Sequence, residues 1–279
     1  MKQYTSKHTI LILGVSGFIG QAIYKELYPY FRTYGTYATP QKELEKNKQF
    51  FHYNHQEDDI IEILEITKPS IIISSLRGEF ATQVILHQHL AEYLKDNACK
   101  ILFLSSANVF DAYSKFPSYE KDKTLSNSIY GHFKIKIENM LMRLPKQKWA
   151  ILRLPMVFGL HAPRIENLKN HLKDNTAIEI FPNLIINATT INKLTQQIHY
   201  IINRNKKGVF HLGSTDLVHH NDFIKEIVSA LKAKKALFKQ VFTTNDQRWL
   251  AVLPKDNKLP KHLQVTCNEI LLELNKTKE

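Results

Sequence analysis
The chain has 279 residues, enough for one large α/β domain or a large domain with a smaller one attached, and long enough to bury a substantial core. Hydrophobic residues at 43% and charged residues at 23% exclude a disordered chain. The net charge of +12 would suit nucleic acid, an anionic membrane or phosphorylated small ligands.

The lysines, among them Lys42, Lys46, Lys121, Lys146, Lys173, Lys206, Lys232, Lys239 and Lys258, are scattered through nearly every polar segment. They form no stripe interleaved with aromatic residues, and no helix-turn-helix, zinc or RNA-recognition signature accompanies them, so solvated helix faces explain most of the charge. No apolar run approaches the ~20 residues of a membrane-spanning helix. Cys99 and Cys267 lie far apart and form no Cys-x-x-Cys pair. They read as free thiols packed as small apolar side chains in a reducing, cytoplasmic compartment. Lys2 and Lys7 before an apolar run imitate a signal peptide, but the glycines that follow argue for a nucleotide turn instead.

Those glycines organise the chain. The apolar strand Thr9 to Leu13 runs into Gly14-Val15-Ser16-Gly17-Phe18-Ile19-Gly20 and then into a helix. A phosphate-binding turn needs that order, because a helix N-terminus offers unpaired N–H groups and the positive end of a dipole. Gly14 permits the sharp exit from the strand, Gly17 lets the backbone approach phosphates, and Gly20 lets the helix pack closely. The spacing is one residue wider at the front than Gly-x-Gly-x-x-Gly.

The first helix ends near Pro29, and Tyr34 to Thr39 reads as the second strand. An acidic residue at its end would bind the ribose 2′-hydroxyl of NAD, but no carboxylate appears until Glu43, which favours the 2′-phosphate of NADP with Thr39 and Lys42 as contacts. Phe50 to Tyr53 reads as a third strand and Asp58 to Thr67 as a packed helix. Ser70 to Ser74 is a buried strand, Ala81 to Asn97 a helix and Ile101 to Ser105 another strand. Strands alternating with helices at this pitch imply a doubly wound parallel sheet of Rossmann type, covered on both faces. His52, His55, His87 and His89 come with no cysteine or carboxylate set at ligand spacing and do not read as a metal site.

A second chemical stretch, Ser105-Ser106-Ala107-Asn108-Val109-Phe110-Asp111, sits at the carboxyl end of a strand, where ligands of open α/β sheets bind. Beyond it Ser128-Ile129-Tyr130-Gly131-His132-Phe133-Lys134 opens an amphipathic helix. Tyr130 and Lys134, four apart, share one helix face, where the cation can lower the phenol pKa and make it a usable proton donor.

On these residues the chain resembles the extended short-chain dehydrogenase/reductase family, and within it the dTDP-4-dehydrorhamnose reductase-like group of sugar-nucleotide enzymes. The resemblance is carried by Gly14-x-x-Gly17-x-x-Gly20, Ser105-Ser106-x-x-Val109-Phe110-Asp111, Tyr119-Glu120, Tyr130-Gly131-x-x-Lys134 with Glu138, and Leu152-Arg153-x-Pro155-x-Val157-Phe158-Gly159. It implies that Ser106, with Ser105 as the fallback, hydrogen-bonds a substrate carbonyl, that Tyr130 donates a proton, and that Lys134 holds the nicotinamide ribose while tuning Tyr130. Cofactor contacts implied are Gly14, Gly17, Phe18, Ile19, Gly20, Thr39, Lys42, Ser74, Tyr130, Lys134 and Pro155. Substrate contacts implied are Ser106, Asn108, Val109, Phe158, His161, Arg164 and Arg248. No metal is implied.

The chain departs from the group at Ser74-Ser75-Leu76-Arg77-Gly78, where an Asn-Ala-Ala type turn is usual, and at Phe181 to Thr190, where an acidic-Gln-Gly-Pro-Thr type stretch is usual. Beyond Pro155 the elements shorten: Ile165 to Asp174 and Ile191 to Asn203 read as helices, Gly208 to Leu212 as a strand, Asp222 to Lys232 as a helix capped by Asn221 or Asp222, and a final apolar helix closes the tail. The expected organisation is a cofactor domain over 1–159 and a substrate lobe over 160–279, interleaved with the last elements of the first. The expected activity is reduction of a nucleotide-activated keto sugar with NADP, with NAD as the alternative cofactor. An epimerase or dehydratase, or a non-catalytic regulatory subunit that binds a dinucleotide, remain open alternatives. A homodimer through the helices Ala81 to Asn97 and Ile129 to Leu144 is what the resemblance suggests.

Overall fold
The computed structural model describes residues 8–113, 115–233 and 235–276; Lys2 and Lys7 lie outside them. In chain order the elements are β1 (Thr9–Leu13), α1 (Phe18–Leu27), β2 (Arg32–Tyr37), α2 (Lys42–Glu45), β3 (Phe50–His52), α3 (Ile61–Thr67), β4 (Ile71–Ser74), α4 (Phe80–Asp96), β5 (Lys100–Ser106), α5 (Ile129–Met142), β6 (Trp149–Leu154) and β7 (Met156–Phe158). They continue as α6 (Pro163–Lys173), β8 (Ile178–Ile180), β9 (Leu184–Ile186), β10 (Ala188–Thr190), α7 (Ile191–Asn203), β11 (Gly208–His211), β12 (Val218–His219), α8 (His220–Ala230), β13 (Phe238–Gln240), β14 (Arg248–Leu250) and α9 (Cys267–Lys276).

Seven strands form a parallel sheet in the order β11-β6-β5-β4-β1-β2-β3. The order reverses at β1, because the chain moves outward to β2 and β3 and then crosses back to β4 on the other side. That reversal is the doubly wound arrangement, and it leaves the ends of β1 and β4 side by side at a switch point where ligands bind. The sequence reason is plain in β1 and β4. Ile10 to Leu13 and Ile72 and Ile73 are fully enclosed, as continuous apolar runs must be when helices cover both faces.

By contacts the chain divides into two compact units. One runs to Ser105 and adds His132–Leu152 and Ile198–Val209; the other takes Ser106–Gly131, Arg153–Gln197 and the chain from Phe210 onward. The first has a core of β-sheet and helix side chains that includes Leu11, Leu13, Leu64, Ile72, Leu90, Phe103, Phe133 and Ile151. The second contains three small sheets, pairing β10 with β7, β9 with β12 and β14, and β13 with β8. Its core includes Phe158 edge-on to Phe223 at 5.4 Å.

Several expected boundaries shift. The second strand spans Arg32–Tyr37, so Thr39 lies beyond its end. Helix α3 begins only at Ile61, because Asp58 and Asp59 use their carboxylates to hold the turn before it, accepting from Asn54 N at 2.6 Å and Ile61 N at 3.0 Å. Helix α8 starts earlier than expected, at His220, with His219 in the cap position; Asn221 and Asp222 lie in its first turn and do not cap it. Helix α7 spans Ile191–Asn203 as expected. Cys99 and Cys267 are both free and buried, as expected. The nine lysines named above are all exposed. Among the described residues no helix is long and apolar enough to cross a membrane, and no group of three or more His, Cys, Asp or Glu could hold a metal ion.

Candidate functional site
The glycine turn joins β1 to α1. Gly14 has φ +85, a left-handed backbone that a side chain would strain. A Cβ on Gly20 would lie 2.1 Å from the Gly14 carbonyl oxygen and 2.8 Å from Ser75 Oγ, so the helix approaches the turn closely enough that only hydrogen fits. Gly17 is different. A Cβ there would meet only Gly14 O, at an ordinary 3.5 Å. Gly17 occupies the N-cap position of α1, no side chain caps the helix, and its first turn holds no acidic residue. An uncapped, uncharged helix start of this kind is suited to a phosphate group. Phe18 and Ile19 in that first turn are half-buried.

Around this turn the structure brings some of the expected cofactor residues to the same carboxyl edge of the sheet. Gly14 N donates to Thr36 Oγ1 on β2, and Ser75, just past β4, donates to Leu13 O at 2.7 Å. Thr39 and Lys42 are exposed in the stretch that follows β2, with no carboxylate between Tyr37 and Lys42. Ser74, by contrast, is buried, with its hydroxyl 2.9 Å from His87 Nε2. His87 Nδ1 lies 2.6 Å from the Gln83 carbonyl, which can only accept. The Nδ1 proton therefore belongs to that bond, and Ser74 donates to Nε2. Burial pushes His87 down to about 4, with the Lys134 charge acting in the same direction against the Gln83 bond, so the ring is neutral.

Helix α5 carries Tyr130 and, one turn on, Lys134. Tyr130 is 38% exposed, whereas Lys134 is only 5% exposed. The Lys134 ammonium donates to Leu104 O on β5 at 2.9 Å and lies 4.7 Å and 5.1 Å from the ring centres of Phe103 and Phe133. Burial pushes its pKa down to about 8, and the Glu138 carboxylate opposes that shift. Lys134 thus stays mostly charged at neutral pH. Glu138, fully enclosed, accepts from Ser105 Oγ at 2.5 Å.

The two serines of β5 consequently have different environments. Strand alternation sends Ser105 into the core toward α5, while Ser106 is half-buried and turns back on Asn108, accepting from Asn108 N at 3.2 Å and donating to Asn108 Oδ1 at 3.0 Å. The start of α5 is fastened to this same turn. A Cβ on Gly131 would lie 2.4 Å from Asn108 O and 2.0 Å from Ser126 Oγ. Asp111 accepts from Asn127 N at 2.6 Å and from the Ser128 hydroxyl, and Ser128 Oγ accepts from Gly131 N at 3.0 Å. Burial raises the Asp111 pKa, but the hydrogen bonds from Ser128 and Asn127 outweigh it and hold the carboxyl below its ordinary value. Tyr130 is therefore presented from a helix start with a fixed origin.

The remaining expected substrate residues lie on several elements. Val109 and Phe158 are fully buried, Phe158 against Phe223 on α8. His161 and Arg164 are exposed at the start of α6, and the Arg164 charge acts on the buried His220 of α8. Arg248 begins β14 and donates to Thr243 Oγ1 at 2.9 Å. Pro155 is half-buried between β6 and β7.

The motif named Glu138, and Ser105 as a fallback for Ser106, but sequence reading missed the hydrogen bond that joins them and the one between Ser74 and His87.

The sequence profile of the family described as the RmlD substrate binding domain matches residues 8–270. The chain belongs to that family. The group it resembled on its motifs is the one that matches. No curated protein matches it in sequence. Among solved structures, a dTDP-4-dehydrorhamnose reductase from Bacillus anthracis, in complex with NADP, superposes with a TM-score of 0.76 at 19% identity, covering 98% of this chain and 100% of that one. The dTDP-4-dehydrorhamnose reductase from Yersinia enterocolitica gives 0.74 at 18% identity, covering 97% and 99%. A UDP-glucuronic acid 4-epimerase from Bacillus cereus, in complex with NAD, gives 0.72 at 16% identity, covering 97% and 99%. At these identities the likeness establishes the Rossmann-type fold.

Proposed function
We propose that this chain is an NADP-dependent reductase of a nucleotide-activated keto sugar. The observation that carries the reading is the arrangement on α5. An exposed phenol, Tyr130, stands one turn before a buried ammonium, Lys134, on a helix start tied to the Ser106–Asn108 turn. A module that only binds has no need of a phenol with a buried cation beside it.

The residues at the glycine turn fit a dinucleotide. The uncapped start of α1 and the open approach over Gly17 suit the pyrophosphate, and Thr39 with Lys42 suits a 2′-phosphate. When bound, the dinucleotide supplies the hydride. The chain's own groups do the rest. Ser106 Oγ, half-buried and hydrogen-bonded to Asn108 within its own turn, can reorient to donate to the substrate carbonyl, whereas Ser105 is committed to Glu138. Tyr130 Oη would donate the proton to the carbonyl oxygen, and Lys134, charged at neutral pH, would stabilise the resulting phenolate and hold the nicotinamide ribose when the dinucleotide is bound.

The names of the neighbouring structures support this substrate class, and the presence of an NAD-bound epimerase among them supports epimerisation as a second reading. Tyr130→Phe tests the proposal. Turnover should be lost with dinucleotide binding retained; undiminished turnover would remove Tyr130 as the proton donor. Net consumption of NADPH separates reduction from epimerisation, in which the cofactor returns to its starting state.

A further inference from the structure
Lys134 needs explaining. A lysine only 5% exposed is a costly place for a positive charge. From β5 come the Leu104 carbonyl and the Phe103 ring, and Phe133 adds a second ring. From α4 comes His87, which is neutral, and from α5 itself comes Glu138. Glu138 is the carboxylate among them, and its charge acts on Lys134 against the effect of burial. It stands one turn beyond Lys134, fully enclosed, and Ser105 Oγ donates to it at 2.5 Å.

We infer that Glu138 is a positioning residue for Lys134, a buried counter-charge clamped by Ser105 that keeps the ammonium protonated where the reaction needs it. The inference rests on the reading of Tyr130 and Lys134 given above. It also explains why the first serine of the Ser105-Ser106 pair is present. Strand alternation hands the inner serine to Glu138 and the outer one to the substrate side, so the pair serves two tasks. Loss of the carboxylate charge leaves burial unopposed, and the Lys134 pKa then drops toward or below neutrality.

Glu138→Gln keeps the volume and an oxygen that can accept from Ser105, but removes the charge. The Lys134 pKa can be followed directly, by carbon-13 NMR of labelled lysine ε-carbons, with the Lys134 resonance assigned from its absence in Lys134→Met. The wild-type value should lie near 8, and in Glu138→Gln it should fall by about one pH unit or more, taking the charged fraction at pH 7 from about nine tenths to about half or less. Glu138→Asp should restore most of the value. An unchanged Lys134 pKa in Glu138→Gln overturns the inference, whatever the enzyme does. Should Glu138→Gln not fold, Ser105→Ala is read in its place, with a smaller fall expected and an unchanged value again overturning the inference.

A parallel NADPH fluorescence titration at pH 7 separates the two layers. Weaker binding in both Lys134→Met and Glu138→Gln supports the positioning role. Unaltered binding and turnover in Lys134→Met overturns the reading of Lys134 itself, and with it any role for its counter-charge.

Discussion

The glycine turn makes two geometrically different demands, and alanine substitutions separate them. At Gly20 an added Cβ would lie 2.1 Å from Gly14 O and 2.9 Å from Gly14 C, both backbone atoms that cannot swing aside. The helix would have to move off the turn, and a cost of about 3 kcal/mol is expected, a large share of the roughly 5–15 kcal/mol that holds a domain folded. At Gly17 the same atom meets only Gly14 O at 3.5 Å, with the backbone already at φ −75 and ψ 156, which alanine adopts freely. Gly17→Ala should therefore leave stability within about 1 kcal/mol of wild type. Its effect should fall on binding instead, because the methyl occupies the space through which a phosphate reaches the start of α1. A loss of NADPH affinity of at least about tenfold, or ~1.4 kcal/mol, is expected. Urea unfolding and NADPH fluorescence titration of both variants provide the assay. Wild-type affinity in a stable Gly17→Ala protein would refute the placement of the pyrophosphate, and wild-type stability in Gly20→Ala would refute the packing argument.

Three further outcomes follow from the structure. His87, His211 and His220 are pushed by burial down to about 4, 3 and 4, so they are neutral when folded but protonate near 6.5 when the chain unfolds. The unfolded chain then binds more protons below pH 6.5. Stability is complete above that value and is lost on acidification toward 3 to 4, each histidine contributing about 1.4 kcal/mol per pH unit once well below 6.5. A urea midpoint that is flat from pH 7 to 5 would contradict this. Glu120 is buried and its carboxylate accepts from the successive N–H groups of Lys255, Asp256 and Asn257. Glu120→Ala strands those donors and should cost about 3 kcal/mol in urea unfolding, while Glu120→Gln should cost less; equal stability of Glu120→Ala and wild type would show that the loop does not depend on the carboxylate. Ile85 on α4 and Ile129 and Met142 on α5 are exposed at 51%, 80% and 37%. A homodimer through these helices, as the resemblance suggests, would cover them, and a monomer in sedimentation at micromolar concentration would remove that expectation.

Much of the first half of the chain was legible because its signals are long. An enclosed apolar strand, three spaced glycines and a 10-residue helix make one pattern, and Tyr130 with Lys134 makes another. Helix α7 was legible to the residue because its apolar positions keep strict helical period over 13 residues. Strands β7 to β10, β13 and β14 span three residues each, and β12 only two. Such lengths are too short to show alternation, and their existence depends on tertiary pairing. The start of α8 was misplaced because Asn221 and Asp222 look like caps, yet the helix begins at His220 without a side-chain cap. Glu138 was named with the Tyr130–Lys134 motif, but nothing local revealed that it is fully enclosed with Ser105 as its partner. Burial of a charge is decided by the partner the fold supplies, 33 residues away here.

The central claim, that the chain uses NADP to reduce a sugar carbonyl, passes through the turn at Gly14–Gly20 and the end of β2. Fluorescence titration with NADPH and NADH, side by side on the wild-type protein, tests that passage most directly. The account predicts binding of both, with NADPH the tighter, because no carboxylate follows β2 before Lys42. Tighter binding of NADH would contradict the cofactor preference and favour the epimerase reading, and binding of neither would contradict the account as a whole.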